Sequence, residues 1–207
     1  MRGVPPLFAR SQQNPPVTMQ PTDLRRALRA RRRELDAGFR AEAAARVASR
    51  IASQPAFTSA QRVAVYIAFD GELDPAPLVD IARACGKDVL LPVLQGDQAM
   101  HFGLWPAAAE LSSNRFGIPE PHATERFAAR DVDLVLTPLV GFDVQCGRLG
   151  MGGGFYDRTF AFLLDDAEAR PRLFGLAYDC QRVEQLPRQP WDVPLAAVVT
   201  EAAVYCA

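Results

Sequence analysis

Three consecutive stretches decide the fold: Val63-Ala64-Val65-Tyr66-Ile67-Ala68-Phe69, then Asp74-Pro75 through Gly86, then Val89-Leu90-Leu91-Pro92-Val93-Leu94. The first is a nearly continuous apolar run, the pattern of a strand covered on both faces. Asp74 then caps a helix whose first position is Pro75, where a missing N–H costs nothing. Leu78, Ile81, Ala82 and Cys85 follow at i, i+3, i+4 and i+7, and Gly86 closes the helix. The next apolar run begins at once. A β-α-β unit of this kind predicts two parallel strands joined by a right-handed crossover. It also places the loop Asp70-Gly71-Glu72-Leu73 at the carboxyl end of a strand, where open α/β sheets take their ligands.

Working outward, Met100 to Trp105, Val132 to Phe142, Arg172 to Tyr178 and Ala196 to Thr200 read as further strands, and Tyr156 to Leu164 as a helix. Asn114 to Pro121 is too rich in breakers for regular structure. On the N-terminal side, Thr22 or Asp23 caps a helix from Leu24, with Leu24, Leu28 and Leu35 on one face and Arg25, Arg29 and Arg32 on another. After a break at Asp36 to Gly38, Phe39, Ala43, Val47 and Ile51 mark a second helix. Nine arginines stand against three acids between Arg25 and Arg50, and most of them read as a solvated basic face. Alternating strands and helices predict an α/β fold: a mostly parallel open sheet flanked by helices, with two N-terminal helices. Residues 1–20, with two Pro-Pro pairs and little apolar content, predict a flexible tail, and 21–207 a single α/β domain.

Composition removes several chemistries. The net charge of −1 gives no reason to expect nucleic-acid binding, and no apolar run is long enough to span a membrane. Cys85, Cys146, Cys180 and Cys206 are scattered without zinc or redox spacing, so they read as reduced thiols of a cytoplasmic protein. His101 and His122 lie too far apart to indicate a transition-metal centre. Lys87 is the sole lysine, and it opens a strand, which argues against Schiff-base catalysis.

The richest chemistry lies in Arg148-Leu149-Gly150-Met151-Gly152-Gly153-Gly154-Phe155-Tyr156-Asp157-Arg158. Glycines at this density let several backbone N–H groups converge, a nest suited to phosphate oxygens, with arginines beside it. No lysine follows the glycines as a Walker loop requires, and Phe155 stands where a dinucleotide fingerprint needs its third glycine. Asp157 is either a hard oxygen ligand for magnesium or a helix-start carboxylate that complements the dipole. Glu72 suits a ligand contact. Asp192, before Val193-Pro194, suits an Asx-turn residue. Met151 and Phe155 are expected to project from the loop as an apolar wall, and Tyr156 is either part of that wall or helix core.

Leu136 to Asp143 followed by Gly147 to Asp157 resembles the signature of the 5-formyltetrahydrofolate cyclo-ligase family, most closely its bacterial branch. Phe69-Asp70-Gly71-Glu72-Leu73-Asp74, Phe116-Gly117-Ile118-Pro119-Glu120-Pro121 and Trp191-Asp192-Val193-Pro194 are similar to its other landmarks, in order, over roughly residues 22–200. The resemblance implies an ATP- and Mg²⁺-dependent ligase converting 5-formyltetrahydrofolate to 5,10-methenyltetrahydrofolate with release of ADP and phosphate. It implies nucleotide contacts from Arg148, Leu149, Gly150, Met151, Gly152, Gly153, Gly154, Phe155 and Tyr156, with Arg148 and Asp157 in the catalytic role. It implies magnesium on Asp157 and Asp192, and folate on Ile67, Glu72, Met151 and Phe155. An N-terminal Lys-x-x-Leu-Arg pattern of the family reads Pro21-Thr22-Asp23-Leu24-Arg25 here, so Arg25 is kept as an ATP contact and the lysine is lost. Gly153 replaces a loop lysine that some relatives carry. A monomer is expected, a dimer being the alternative, without nucleic-acid or membrane partners. The competing readings are a sugar-phosphate isomerase-like phosphate binder and a non-catalytic module using the arginine-rich helices.

Overall fold

Period-two alternation of apolar residues sorts the strand side chains onto two covered faces. The computed structural model describes residues 20–94, 99–113, 117, 119–121, 125–166 and 169–206. The strands are β1 (Arg62–Ala64), β2 (Asp88–Val93), β3 (His101–Leu104), β4 (Leu111–Ser113), β5 (Pro119–Pro121), β6 (Arg126–Phe127), β7 (Leu134–Pro138), β8 (Gly141–Phe142), β9 (Arg148–Leu149), β10 (Arg172–Leu176), β11 (Ala197–Val199) and β12 (Val204–Cys206). The helices are α1 (Pro21–Arg33), α2 (Ala37–Ala52), α3 (Pro55–Ser59), α4 (Ala76–Ala84) and α5 (Phe155–Phe160). The main sheet runs β12-β11-β10-β7-β1-β2-β3-β6. Its interior strands β11, β10, β7, β1 and β2 are parallel, and β12, β3 and β6 are antiparallel additions at the edges.

In β7, Leu134 and Leu136 face Val47, Ile51, Leu78 and Leu91 beneath α2 and α4. Val135 faces the opposite way, towards Phe142, Phe160 and Leu173 beside α5. A third cluster seats Leu24 and Leu28 of α1 on Val140, Val183 and Leu186, with Leu149 alongside. The N-terminal helix is thereby fastened to the segments that follow β7.

The strand order fixes where a ligand belongs. From β1 the chain passes to β2 on one side, and later to β7 on the other. The crevice between the carboxyl ends of β1 and β7 is therefore the point at which the winding reverses, the usual ligand position in open α/β sheets. The loops after β1 and β7 both open there. They carry Glu72 and the glycine run.

The elements differ from the sequence reading in several places. The ladder of β1 stops at Ala64, because Tyr66 turns to give its hydroxyl to the Leu73 carbonyl and the chain bends towards the crevice. α1 starts at Pro21 after Gln20, so Thr22 and Asp23 lie inside the first turn instead of capping it. Leu35 falls past the end of α1 and joins the α2 core instead. Asp36 caps α2 by accepting the Phe39 N–H at 2.9 Å. The breaker-rich Asn114–Pro121 segment contributes β5, which pairs with β4 although two of its three residues are prolines; edge ribbons tolerate the missing donors. α5 tightens into a 3₁₀ turn at Ala161–Leu164. Lys87 donates to the Ala60 and Thr58 carbonyls and lies over the Phe57 ring, a structural clamp on α3. The expected tail lies outside the described residues, apart from Gln20. Among the described residues no helix is long and apolar enough to cross a membrane.

Candidate active site

The hairpin of β8 and β9 delivers the arginine and the glycines. Its turn is shaped by Asp143, buried, whose carboxylate accepts from the N–H groups of Gly147 (2.8 Å), Gln145 (3.0 Å) and Leu186 (3.0 Å). Arg148 then emerges nearly buried, its guanidinium donating to the Val193 carbonyl and to Asp157 Oδ1. The same Oδ1 accepts the Val193 N–H at 3.2 Å. Burial pulls the Arg148 pKa down, and the negative charges of Asp157 and Asp192 work against that shift. Asp157 thus bonds the arginine directly, and Asp192 lies near enough for its charge to act on it. Asp192 closes its own turn by accepting the N–H of Gln189, three residues earlier, at 2.8 Å, where an Asx turn would take the N–H two residues on.

After β9 the chain crosses the mouth of the crevice as Gly150 to Gly154. Gly152 and Gly154 have φ of +98° and +64°, conformations that side chains disfavour. Met151, Gly152 and Gly153 are exposed, and Gly154 leads directly into α5. Arg158 steadies the turn through the Gly153 carbonyl at 2.8 Å. Arg25, from α1, reaches across and donates its Nε–H to the Gly150 carbonyl at 2.7 Å. Residues 125 positions apart in the chain thus meet at the glycine turn.

Opposite lies the 69–73 turn. Glu72 is largely buried; its Oε2 accepts the Phe69 N–H at 3.2 Å and its Oε1 lies 3.7 Å from Arg32. Burial raises its pKa, against the pull of the Arg32 charge and the Phe69 bond. Tyr156 of α5 is close enough to feel both Glu72 and Arg148, and burial first, then the Glu72 charge, push its phenol above the ordinary range. Ile67 is half-buried against the α2 and α4 core, on the approach to this turn.

The structure thus brings Arg25, Arg148 to Asp157, Asp192, Glu72 and the Ile67 segment to one crevice. Two readings need correction. Phe155 is not a free wall: it is half-buried, with one side packed on the core beside α5 and Arg158 over its ring. Met151 is 53% exposed as expected, and Phe69 (74%) and Trp191 (63%) supply the other apolar surfaces of the rim. The arginines of α1 are also not simply solvated. Arg29 Nε donates to Asp70 Oδ2 at 2.7 Å, Arg33 Nε to Oδ1 at 2.5 Å, and Arg32 is fully buried.

Arg32, Asp70, Asp143 and Gln181 were missed as determinants of the site. Gln181 donates to the Leu139 and Val140 carbonyls at 2.7 and 2.9 Å, holding the exit from β7. A usable signal existed for the arginines: Arg25, Arg29 and Arg32 recur at i, i+4 and i+7, one stripe of the helix facing the site. Gln181 left none, since its partners are backbone groups.

Among the described residues there is no cluster of three or more His, Cys, Asp or Glu side chains able to hold a metal unaided. Magnesium at a nucleotide needs less from the protein, one or two carboxylates with phosphate and water completing the shell. Asp157, hydrogen-bonded to Arg148 beside the glycine turn, and Asp192, whose charge also acts on Arg148, are carboxylates of that kind.

Comparison with known proteins gives the family and the fold. A model of the 5-formyltetrahydrofolate cyclo-ligase family matches residues 17–201. The 5-formyltetrahydrofolate cyclo-ligase of Escherichia coli (strain K12) is 42% identical over 186 residues, covering 86% of this chain and 98% of that protein. That of Mycolicibacterium smegmatis is 30% identical over 149 residues, 69% of this chain and 74% of the relative. The solved 5,10-methenyltetrahydrofolate synthetase of Aquifex aeolicus superposes with a TM-score of 0.78 at 33% identity, covering 91% of this chain and 93% of that one. A synthetase from Mycoplasma pneumoniae, at 20% identity and a TM-score of 0.69, shares the fold over 88% of this chain and 99% of its own.

Proposed function

The chain belongs to the 5-formyltetrahydrofolate cyclo-ligase family and is a ligase-type enzyme of folate one-carbon metabolism; from that premise we propose that it converts 5-formyltetrahydrofolate to 5,10-methenyltetrahydrofolate at the crevice between β1 and β7, consuming ATP. The observation that carries this reading is the meeting of the glycine turn, Arg25 and the Arg148–Asp157 pair at one end of the crevice, with Glu72 at the other.

A formamide oxygen is a poor nucleophile and, until it is phosphorylated, a poor leaving group from the formyl carbon. Transfer of the γ-phosphoryl group to it releases ADP and leaves an imidate-like phosphate ester. Folate N10 attacks that carbon and loses its proton. The C–O bond then breaks and inorganic phosphate departs, leaving the methenyl bridge. Phosphoryl transfer of this type depends on positioning and charge neutralisation, so no covalent nucleophile is required. Backbone N–H groups of Gly150 to Gly154 face the phosphates, with Leu149 and Tyr156 bounding them and Arg25 and Arg148 supplying positive charge. Charge-assisted hydrogen bonds of about 1.5–3 kcal/mol each reach the roughly 8 kcal/mol of a micromolar nucleotide with only a few contacts. Asp157 and Asp192 would hold magnesium, which when bound neutralises phosphate charge.

On the other side, the Glu72 carboxylate accepts N–H donors of the pterin, while Ile67, Met151 and the edge of Phe155 line its flat ring. Free thiols at the exposed Cys85 and Cys206 suit a reducing cytoplasmic compartment.

The test is formation of the methenyl chromophore. It is expected only with ATP and Mg²⁺ both present, and Asp157→Ala is expected to raise the magnesium concentration required at least tenfold. Unchanged magnesium dependence in that variant removes Asp157 from the metal shell.

A further inference from the structure

The turn that carries Glu72 is closed locally by the Glu72 N–H on the Phe69 carbonyl at 3.0 Å and by the Phe69 N–H on Glu72 Oε2 at 3.2 Å. Asp70 and Gly71 both have positive φ, +54° and +75°, and Phe69 is exposed. What fastens it to the loop after β7 is α1. Arg32, with no exposed surface, donates Nε–H to the Asp70 carbonyl at 3.0 Å, Nη2–H to Asp70 Oδ2 at 3.1 Å and Nη1–H to the Leu139 carbonyl at 3.3 Å. Its Nη2 also lies 3.7 Å from Glu72 Oε1. One planar fork thus spans the loop after β1 and the loop after β7. Arg40 pins the end of α1 through the Arg32 and Arg33 carbonyls at 3.2 and 2.9 Å.

We propose that Arg32 and Asp70 are positioning residues of the ring-closing reaction: the pair fixes the Glu72 carboxylate where the pterin is read, without touching substrate. The proposal rests on the assignment of Glu72 as the folate anchor. The groups facing Glu72 are Arg32 and Arg29 from α1, Asp70 on its own turn, Tyr66 beyond β1, Tyr156 from α5, and Tyr178 beyond β10, whose hydroxyl donates to the Glu72 carbonyl at 3.4 Å. Arg32 is the principal charge that favours the ionised carboxylate, and Asp70 opposes it. Removing either partner therefore displaces Glu72 in opposite electrostatic directions, which general loss of stability cannot imitate.

The experiment follows methenyl formation across pH for the full chain and for Arg32→Met, Asp70→Asn, Glu72→Gln and the Arg32→Met/Glu72→Gln double variant, each first checked for a cooperative melt. Glu72→Gln is expected to raise the folate KM at least about tenfold, the equivalent of one charge-assisted hydrogen bond. Arg32→Met is expected to raise the folate KM by a similar factor, leave the ATP KM within about twofold, and move the acid limb of the kcat/KM profile to higher pH. Asp70→Asn should move that limb to lower pH. In the Glu72→Gln background the Arg32 change should add less than about twofold, since residues acting through one group are not additive. If Arg32→Met does not fold, Arg32→Lys takes its place: the retained charge should keep the acid limb while the lost fork raises the folate KM. A Glu72→Gln enzyme with unaltered folate KM overturns the anchor assignment itself. A Glu72 effect combined with full multiplicativity, or with limbs that shift in the same direction, leaves the anchor standing and overturns the positioning role.

Discussion

Arg25 shows how a single side chain can join distant chemistry. Its Nε–H bond to the Gly150 carbonyl fixes the near edge of the glycine turn and leaves a cation beside the place proposed for phosphate. Arg25→Ala is expected to raise the ATP KM by about 10-fold or more, from loss of a charged hydrogen-bond donor, with little change in the folate KM; initial rates with each substrate varied in turn decide it. The family pattern made Arg25 legible, but its partner was not, because a carbonyl oxygen has no signature in sequence. Phe155 illustrates the opposite failure. A large aromatic after four glycines reads as a projecting side chain, yet the helix that begins there turns it into the α5 core. Arg148 was legible as a charge but not as a buried one. Its burial against Val193 and Asp157 makes it part of the wall that positions the Asp192 turn.

Two elements set the geometry of the crevice, the glycine turn and α1. At Gly152 and Gly154 an added Cβ meets left-handed backbone, and Gly152→Ala or Gly154→Ala is expected to cost about 1–2 kcal/mol, measured as a lowered midpoint in urea. α1 is held by Asp70. Burial alone would raise the Asp70 pKa, but hydrogen bonds from Arg29 and Arg33, with the Arg32 charge, outweigh it and hold the carboxyl below its usual range. A depressed folded value means that this stabilisation is complete above the ordinary carboxylate pKa of about 4 and is lost as pH falls through the folded value. Asp70→Ala, which takes the nearer carboxylate from the buried Arg32 and leaves it Glu72 at 3.7 Å, is expected to cost about 3–5 kcal/mol at neutral pH and to flatten the acid side of the stability profile. Equal urea midpoints for the two proteins would refute that. The helix was readable from Leu24 and Leu28, and the arginine stripe was visible. Its burial was not, because a run of nine arginines carries no mark of which one meets a carboxylate 38 residues away.

At the scale of the molecule, the β-α-β unit predicted the parallel pair of β1 and β2 correctly, and the alternation of elements predicted the open sheet. What local pattern could not supply was strand order. β7 lies beside β1 because the chain crosses back over the sheet, and that crossing creates the switch point onto which the segments after the two strands, carrying Glu72 and the glycine turn, lead. Edge pieces such as β5 escaped because proline-rich ribbons have no periodicity. The central claim is that the glycine turn at this switch point cradles the phosphates that drive ring closure. Its most direct test is a crystal structure with a non-hydrolysable ATP analogue and Mg²⁺. The γ-phosphate is predicted within hydrogen-bonding distance of the backbone N–H groups of residues 150–154, with Arg25 beside it and the metal on Asp157 and Asp192. A nucleotide bound away from this turn, with its phosphates in solvent or on another face of the sheet, would contradict the account.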